Sequence, residues 1–542
     1  MNSGEIKIQG EIKTDEETLK KYSRDESIFE LRPQAVVLPK NVEDIKQLVK
    51  WVSENKEKDS SLSITARGSG TDMTGGAIGE SFILDFKNIN RLIRIGGSWA
   101  EAEAGMLYKD FETALLQNNL LLPSFTETKE KDTLGGMVGN NSGGEKSLKY
   151  GQTIKYIEEV SAVLADGNEY VFRELNEGEL ESKMRLTSFE GELYRKMYEL
   201  VKANCKIIHK ARPTVSKNSS GYPLWEVWNE RKFNLAKLFA GGQGTLGLVA
   251  KIKFKLIRPF RHSRLAVIYI KNIKQLSESA PYILKYNPES LEVFDSKTAS
   301  LAARFLPELG KKIGGGFLGS LKLFLPEIFG SIFRKPNSFV AVAEFAGENL
   351  EDLDITLHHL SEEFLEVFDA DIFLSESGEE NEKYKLIRRE SFKMVSSYAG
   401  KNRTAAAIID DLIVHKAQLP EFLPKLEKIL KKYGLEYSLA GHLGDSNFHV
   451  IPLVNLGDFA QRNKMFKLAE EVYELVFKLK GSISAEHGDG FVRGPFLEQT
   501  WGKEMLELFS KTKEIFDPQN IFNPGKKIVG TREFLSAYIK KG

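Results

Sequence analysis

Apolar positions along the chain switch between two periods. Val42, Ile45, Leu48, Val49 and Val52 share one face of a 3.6-residue repeat, which predicts a helix behind Pro39. Short apolar runs at 61–67 (SLSITAR) and 81–86 (SFILDF) predict strands, with NINRLIRI after the second. MLYKDFETALLQNNLLLP reads as a helix that stops at Asn118-Asn119 and a proline. YIEEVSAVLADGNEYVF reads as two strands joined at Asp166-Gly167. NLAKLFAGGQGTLGLVAKIKFKLI reads as a helix, a glycine turn and a long strand. From 263 the pattern restarts. RLAVIYI, SFVAVAEFA and AAAIIDDLIV read as strands, and the stretches 273–286, 350–368 and 419–434 as helices. This alternation predicts an α+β chain whose second half is an antiparallel sheet with helices on one side. Residues 1–33 form a charged helical lead-in. The expected divisions are 33–258, 259–480 and a C-terminal segment 481–542 with its own glycine and proline motifs.

Composition narrows this. The 542 residues are 41% hydrophobic and 28% charged, enough for more than one core. Seventy-six basic residues balance 76 acidic ones, so no global field favours nucleic acid as a partner. The single cysteine, Cys205, excludes an internal disulfide and an iron–sulfur cluster. Redox chemistry therefore needs an organic cofactor or a partner, and a metal must use histidine and carboxylate. No uncharged apolar run reaches membrane-spanning length and no secretory leader is visible, so the expected location is cytoplasmic. One segment, 301–336, is rich in Leu, Phe, Ile and Gly. It carries Arg304, Lys311, Lys312, Lys322, Arg334 and Lys335 against Glu308 and Glu327. It suits either peripheral contact with the inner membrane face or a helical pair packed on the second domain.

Four constellations bear chemistry. ARGSGTDMTGGAIG (66–79) follows a strand, and its glycines allow an anion-binding nest. It lacks both the Rossmann spacing and a Walker lysine. TLGGMVGNNSGGEKSLKYGQTIKYI (133–157) adds glycines and amides suited to a planar heterocycle. Either alone reads equally as a loop between strands. GHLGDSNFH (441–449) places His442 and His449 seven residues apart, near Asp445 and Asn447. SAEHGDG (484–490) sets Glu486 beside His487. The chain has only 8 histidines, and three fall in these two glycine-flanked motifs. Two imidazoles with Glu486 as third ligand would suit zinc or manganese with an open position, and His487 a base beside it.

These motifs, with VLADG, VSKNSSGY, LFAGGQGTLGLV and FDPQNIFNPGK in this order, resemble the FAD-linked oxidases of the vanillyl-alcohol oxidase and para-cresol methylhydroxylase type. Within them the chain is similar to the branch of D-lactate dehydrogenase, D-2-hydroxyglutarate dehydrogenase and the glycolate oxidase flavin subunit. The resemblance spans about residues 33–530. It implies a PCMH-type FAD-binding domain, an antiparallel-sheet substrate domain, and a C-terminal segment returning to the FAD domain. It implies FAD contacts from Arg67, Gly68, Ser69, Gly70, Thr71, Asp72 and Gly75. It implies further contacts from Thr133, Gly135, Gly136, Asn140, Ser142, Gly143, Tyr150, Gly151, Ile157 and Asn523. Asp72 stands where covalent relatives often carry histidine, so the FAD is expected to be non-covalent.

The resemblance also implies a divalent metal on His442, His449 and Glu486, with His487 as base and Asn447 touching substrate. Arg389 is expected to hold the substrate carboxylate, with Arg388 as its rival. Five positions depart from the family pattern: Ser446, Gln243, Asp489, His415 and Ile409. Ile409 stands where some hydroxyglutarate-type members have lysine, which favours D-lactate. The implied activity is oxidation of a D-2-hydroxy acid to its 2-oxo acid, with electrons passed to a quinone or carrier protein. The alternatives are a non-redox ether-lipid-synthase-like transferase and a flavin subunit of a larger complex.

Overall fold

Three β-sheets follow from the apolar runs. The structure, a computed structural model, describes residues 6–304, 338–370, 372–375, 378–400, 402–528 and 530–540. The segment 301–336 lies outside the described residues apart from its first four. The first sheet has the order Glu11–Lys13, Ala35–Leu38, Phe82–Asp85, Ile64–Arg67, antiparallel at its first pair and parallel at the other two. Helix Val42–Asn55 covers it, burying Ile45, Leu48, Val49 and Val52. Asn41 caps that helix by accepting the Asp44 N–H, an interaction worth about 1 kcal/mol.

The second sheet is antiparallel, in the order Leu92–Ile95, Trp99–Glu103, Leu248–Lys255, Ile157–Val163, Glu169–Leu175, Phe233–Asn234. Its turn at Asp166-Gly167 uses the left-handed conformation of Gly167 (φ 73°). One apolar core joins the first two sheets.

The third sheet runs Ile372–Leu374, His262–Ile270, Phe339–Gly347, Ser290–Asp295, Tyr437–His442, Asn447–Val454, Thr404–Ala405, and Leu412–Ile413 also pairs with Asn447–Val454. Helices cover both of its faces, not one. Ala266 and Ile268 point into a core with helices Ile273–Leu284, Leu350–Phe368 and Leu419–Tyr433. Leu265 and Val267 point the other way, against Tyr384, Ile387, Met394 and Val395. The near-continuous apolar strands signalled this, since a strand buried on one face alone alternates with polar residues.

The stretch AAAIIDDLIV is also not one strand. It breaks into Thr404–Ala405 and Leu412–Ile413, with Asp411 in the left-handed region (φ 69°) between them. The acidic side chains of Asp410 and Asp411 are spent on other partners, described below. Among its described residues the lead-in is helical over Glu16–Tyr22 and not elsewhere. The C-terminal segment returns to the first sheet: Ile64 N–H donates to Ile521 O at 2.7 Å, and Asn523 N–H to Ile64 O at 2.9 Å.

Candidate active site

The meeting of glycine loops from the first half with the edge of the third sheet leaves a cavity of about 460 Å³. Arg67–Met73, Thr126–Asn140 in part, Ser142–Gly144 and Gly242–Gly244 form one side of it. Arg389, Phe392, Lys393 and Ser396 form another, and His442, Glu486 and His487 close it.

The glycines are spatially required. A Cβ on Gly68 would fall 2.2 Å from Thr133 Oγ1, and one on Gly135 would fall 2.8 Å from the Ala104 Cβ. Thr133 caps the short helix Leu134–Asn140 by accepting the Gly136 N–H. Asp72 folds the first loop on itself: its Oδ2 accepts the N–H groups of Thr74 (2.9 Å) and Gly76 (2.6 Å), and its Oδ1 accepts from Asn140 Nδ2 (3.2 Å). Arg67 braces the same loop, donating to Ala77 O and Arg24 O. The cavity therefore presents bare backbone from three glycine loops, a surface that fits a flat, phosphate-bearing cofactor.

Of the residues expected to contact FAD, Arg67, Gly68, Ser69, Gly70, Thr71, Asp72, Thr133, Gly135, Gly136, Asn140, Ser142 and Gly143 line this cavity. Gly75, Tyr150, Gly151, Ile157 and Asn523 are not among the residues that line this cavity. Gly75 packs against Phe491 and Phe29, and the Tyr150 hydroxyl donates to Glu289 Oε1 at 2.7 Å. The Gly151 α-carbon faces the Lys155 side chain, and Ile157 starts a core strand. Asn523 donates to Gly76 O and Gln243 O, clamping two glycine loops from behind.

His442 and His449 come together through a hairpin. Strands Tyr437–His442 and Asn447–Val454 pair so that Ala440 faces His449 and His442 faces Asn447. The two imidazoles are thus diagonal neighbours on one face, although seven residues apart they would fall on opposite faces of a single strand. The turn needs a left-handed residue, and Ser446 supplies it (φ 59°), which explains why a glycine suits that position.

Glu486 Oε1 is the point on which the imidazoles converge. His442 Nε2 is 3.1 Å from it, His449 Nε2 3.4 Å and His487 Nε2 3.8 Å. Each opposite ring nitrogen meets a carboxylate. His442 Nδ1 lies 2.8 Å from Glu292 Oε1, His449 Nδ1 2.8 Å from Asp410 Oδ1, and His487 Nδ1 2.6 Å from Asp410 Oδ2. Carboxylates accept, so Nδ1 of His442 and of His449 carries hydrogen, while the His487 contact is an ion pair, and each Nε2 faces Glu486. Burial opposes the charged imidazolium, but the neighbouring carboxylates outweigh it and raise all three histidines to about 9. Burial likewise opposes an ionised Glu486, but Lys217 and His442 hold it well below the ordinary carboxylate range.

Asp411 builds the loop beneath. Its Oδ2 accepts the N–H groups of both Glu486 and His487 at 2.8 Å, and its Oδ1 accepts from Asn447 Nδ2 at 3.1 Å. Asn447 Nδ2 also donates to Leu412 O, while its buried Oδ1 has no hydrogen-bond partner, and the residue is not among those that line the cavity. Gln243 joins the loops from the other side, its Oε1 accepting the Asp489 and Gly490 N–H groups. Asp489 is neutralised by Lys527 at 2.8 Å. His415 caps the turn Lys416–Gln418, and Ile409 sits in the core.

Arg389 lines the cavity, its guanidinium held by Glu145 through NH2 (2.7 Å) and Nε (3.3 Å). Arg388 is buried and ion-paired with Glu127 (2.5 Å), itself a lining residue, and with Glu292 (3.1 Å), and it is not among the residues that line the cavity. Glu127, Glu145, Glu292, Asp410, Asp411 and Lys217 were not singled out from the sequence. The one legible signal was the acidic pair inside the apolar run AAAIIDDLIV, since buried acids need partners.

Residues 33–172 match the FAD binding domain, and residues 260–527 match the FAD linked oxidases, C-terminal domain. The D-2-hydroxyglutarate dehydrogenase of Haemophilus influenzae is 26% identical over 534 residues, which cover 96% of this chain and 50% of that protein. The chain thus spans about half the length of that relative. The D-lactate dehydrogenase of Archaeoglobus fulgidus is 25% identical over 499 residues, 91% of each. Among solved structures, p-cresol methylhydroxylase with substrate bound superposes with a TM-score of 0.67 at 15% identity, over 96% of this chain and 94% of that one, a likeness of fold. The chain belongs to the FAD-linked oxidases and has the fold of p-cresol methylhydroxylase.

Proposed function

We propose that the protein is an FAD-dependent dehydrogenase that oxidises a D-2-hydroxy acid, D-lactate first, to its 2-oxo acid, using a divalent cation. The observation that carries this is the convergence of three imidazole Nε2 atoms on Glu486 Oε1 at the cavity wall. The donors fit a zinc or manganese ion. His449 Nε2 is buried without a hydrogen-bond partner, and Nε2 of His442 and of His449 lie 3.1 and 3.4 Å from Glu486 Oε1. His442, His449 and Glu486 would hold the cation, which when bound supplies Lewis acidity toward the substrate hydroxyl. Non-covalent FAD supplies the hydride acceptor. His487 faces the cavity through Nε2 and, in the neutral form that a neighbouring bound cation would favour, takes the hydroxyl proton there. Arg389 orients the substrate carboxylate from the opposite wall, its guanidinium fixed by Glu145. Electrons leave to a quinone or carrier protein, because one cysteine cannot build an iron–sulfur relay. Among the described residues no helix is long and apolar enough to cross a membrane. A peripheral contact at an inner membrane face, through 301–336, is part of the proposal.

Lys393 favours a second reading, a longer acid with a second carboxylate such as 2-hydroxyglutarate. It lines the cavity from the helix Ser391–Ala399, which follows the one that ends at Arg389. Anaerobic addition of each acid, followed by flavin absorbance, separates the two. Bleaching by D-lactate supports the first reading and bleaching by D-2-hydroxyglutarate alone the second. No bleaching by any 2-hydroxy acid contradicts both.

A further inference from the structure

Lys217, in the motif VSKNSSGY, is completely buried (0%) yet charged. Its Nζ lies 3.1 Å from Glu486 Oε2 and 3.6 Å from Asp445 Oδ2. An unpaired buried ammonium would cost several kcal/mol, so the two carboxylates explain why the lysine is tolerated. They do not explain why it stands on the far side of the one carboxylate that faces three imidazoles.

The geometry divides Glu486 into two ends. Oε2 belongs to Lys217, and Oε1 alone faces Nε2 of His442, His449 and His487. The lysine is fixed relative to that carboxylate by backbone links to the same loop. Ser219 N–H donates to Ser484 O at 3.0 Å, and Gly221 N–H to Asp489 Oδ2 at 2.8 Å. Gln152 ties the two segments again, accepting the Asn218 N–H through Oε1 (2.8 Å) and donating through Nε2 to Ala485 O (2.9 Å). Lys217 and Glu486 therefore sit on one rigid frame.

A carboxylate with both oxygens available can give a cation one or two of them. Giving two would fill a position that a catalytic site must leave open. We propose that Lys217 is a positioning residue: by holding Oε2 of Glu486 it makes that side chain present a single oxygen to the cation site, leaving room for two substrate oxygens. This rests on the cation reading given above.

The test uses the flavin-bound, manganese-loaded full chain and the variants K217M and K217Q. The readouts are metal content, manganese retention against a chelator, and affinity for oxalate as an unreactive bidentate mimic of the acid. K217M is expected to keep flavin and one manganese, to resist the chelator as well as wild type, and to bind oxalate roughly tenfold more weakly. KM for the acid should rise by more than kcat falls, and K217R should recover part of the loss. Unchanged oxalate affinity in manganese-loaded K217M overturns the proposal. So does loss of manganese with flavin retained, because the lysine would then build metal affinity. Loss of flavin in both K217M and K217Q overturns it too, making the lysine a structural counter-ion. Wild-type protein fully active without any cation defeats the cation reading itself, and that is read without any variant.

Discussion

Asp410 Oδ2 stands 2.6 Å from His487 Nδ1, so one buried carboxylate decides which nitrogen of the proposed base faces the cavity. Its other oxygen meets His449 Nδ1 at 2.8 Å, linking the base to a proposed cation ligand. Asn at this position would offer an N–H on one side and undo that arrangement. D410N should keep its yellow flavin and lose roughly 10²–10⁴ in the rate of flavin reduction. Stopped-flow absorbance measures this, and a wild-type rate in D410N would remove the orienting role.

Among the described residues, Glu486 is the acid that all three inward-facing ring nitrogens approach. E486Q should bind flavin normally and carry no cation, as elemental analysis would show. Chelation of the wild type should likewise abolish flavin reduction, and zinc or manganese should restore it. A chelated, metal-free protein with full activity would contradict the site.

Much of this centre was readable before any coordinates, and the reasons are specific. His442, His449 and His487 are three of only 8 histidines, set with Glu486 among glycines, a pattern that core packing does not produce. Their partners were not readable in the same way. Glu292 and Glu145 come from distant segments whose acids look like surface charge until the strand pairing of Ser290–Asp295 with Tyr437–His442 sets one beside His442. The partners of Asn447 were equally hidden: Asp411 and Leu412 take its Nδ2, and its Oδ1 has no hydrogen-bond partner. Lys393 escaped notice because only the path of helix Ser391–Ala399 aims it at the cavity.

The Glu145–Arg389 pair predicts an acid-side signature. Burial raises Glu145, but Arg389 and the nearby lysines outweigh it and hold the carboxyl down at about 2. A depressed folded-state pKa adds stability that is complete above the unfolded value near 4.5 and fades as pH falls toward 2. That stability is roughly 3 kcal/mol by linkage. E145Q should therefore be less stable than wild type at pH 6, with the gap closing between pH 4.5 and 2. Urea melts across that range measure it, and a pH-independent gap would refute the assignment.

Lys393 should govern acid length. Its side chain is largely exposed (65%), so solvent weakens any pairing. K393A should raise KM for D-2-hydroxyglutarate by about tenfold and leave D-lactate nearly unchanged. Equal changes for both acids would show that the lysine does not read the second carboxylate.

The central assertion is that His487 removes the hydroxyl proton beside a cation held by His442, His449 and Glu486. Anaerobic rapid mixing of the D-acid with wild-type and H487A protein, both loaded with flavin and cation, tests it most directly. The account predicts flavin bleaching in the wild type and bleaching at least about 100-fold slower in H487A, with flavin and cation content unchanged. Bleaching of H487A at the wild-type rate would contradict it.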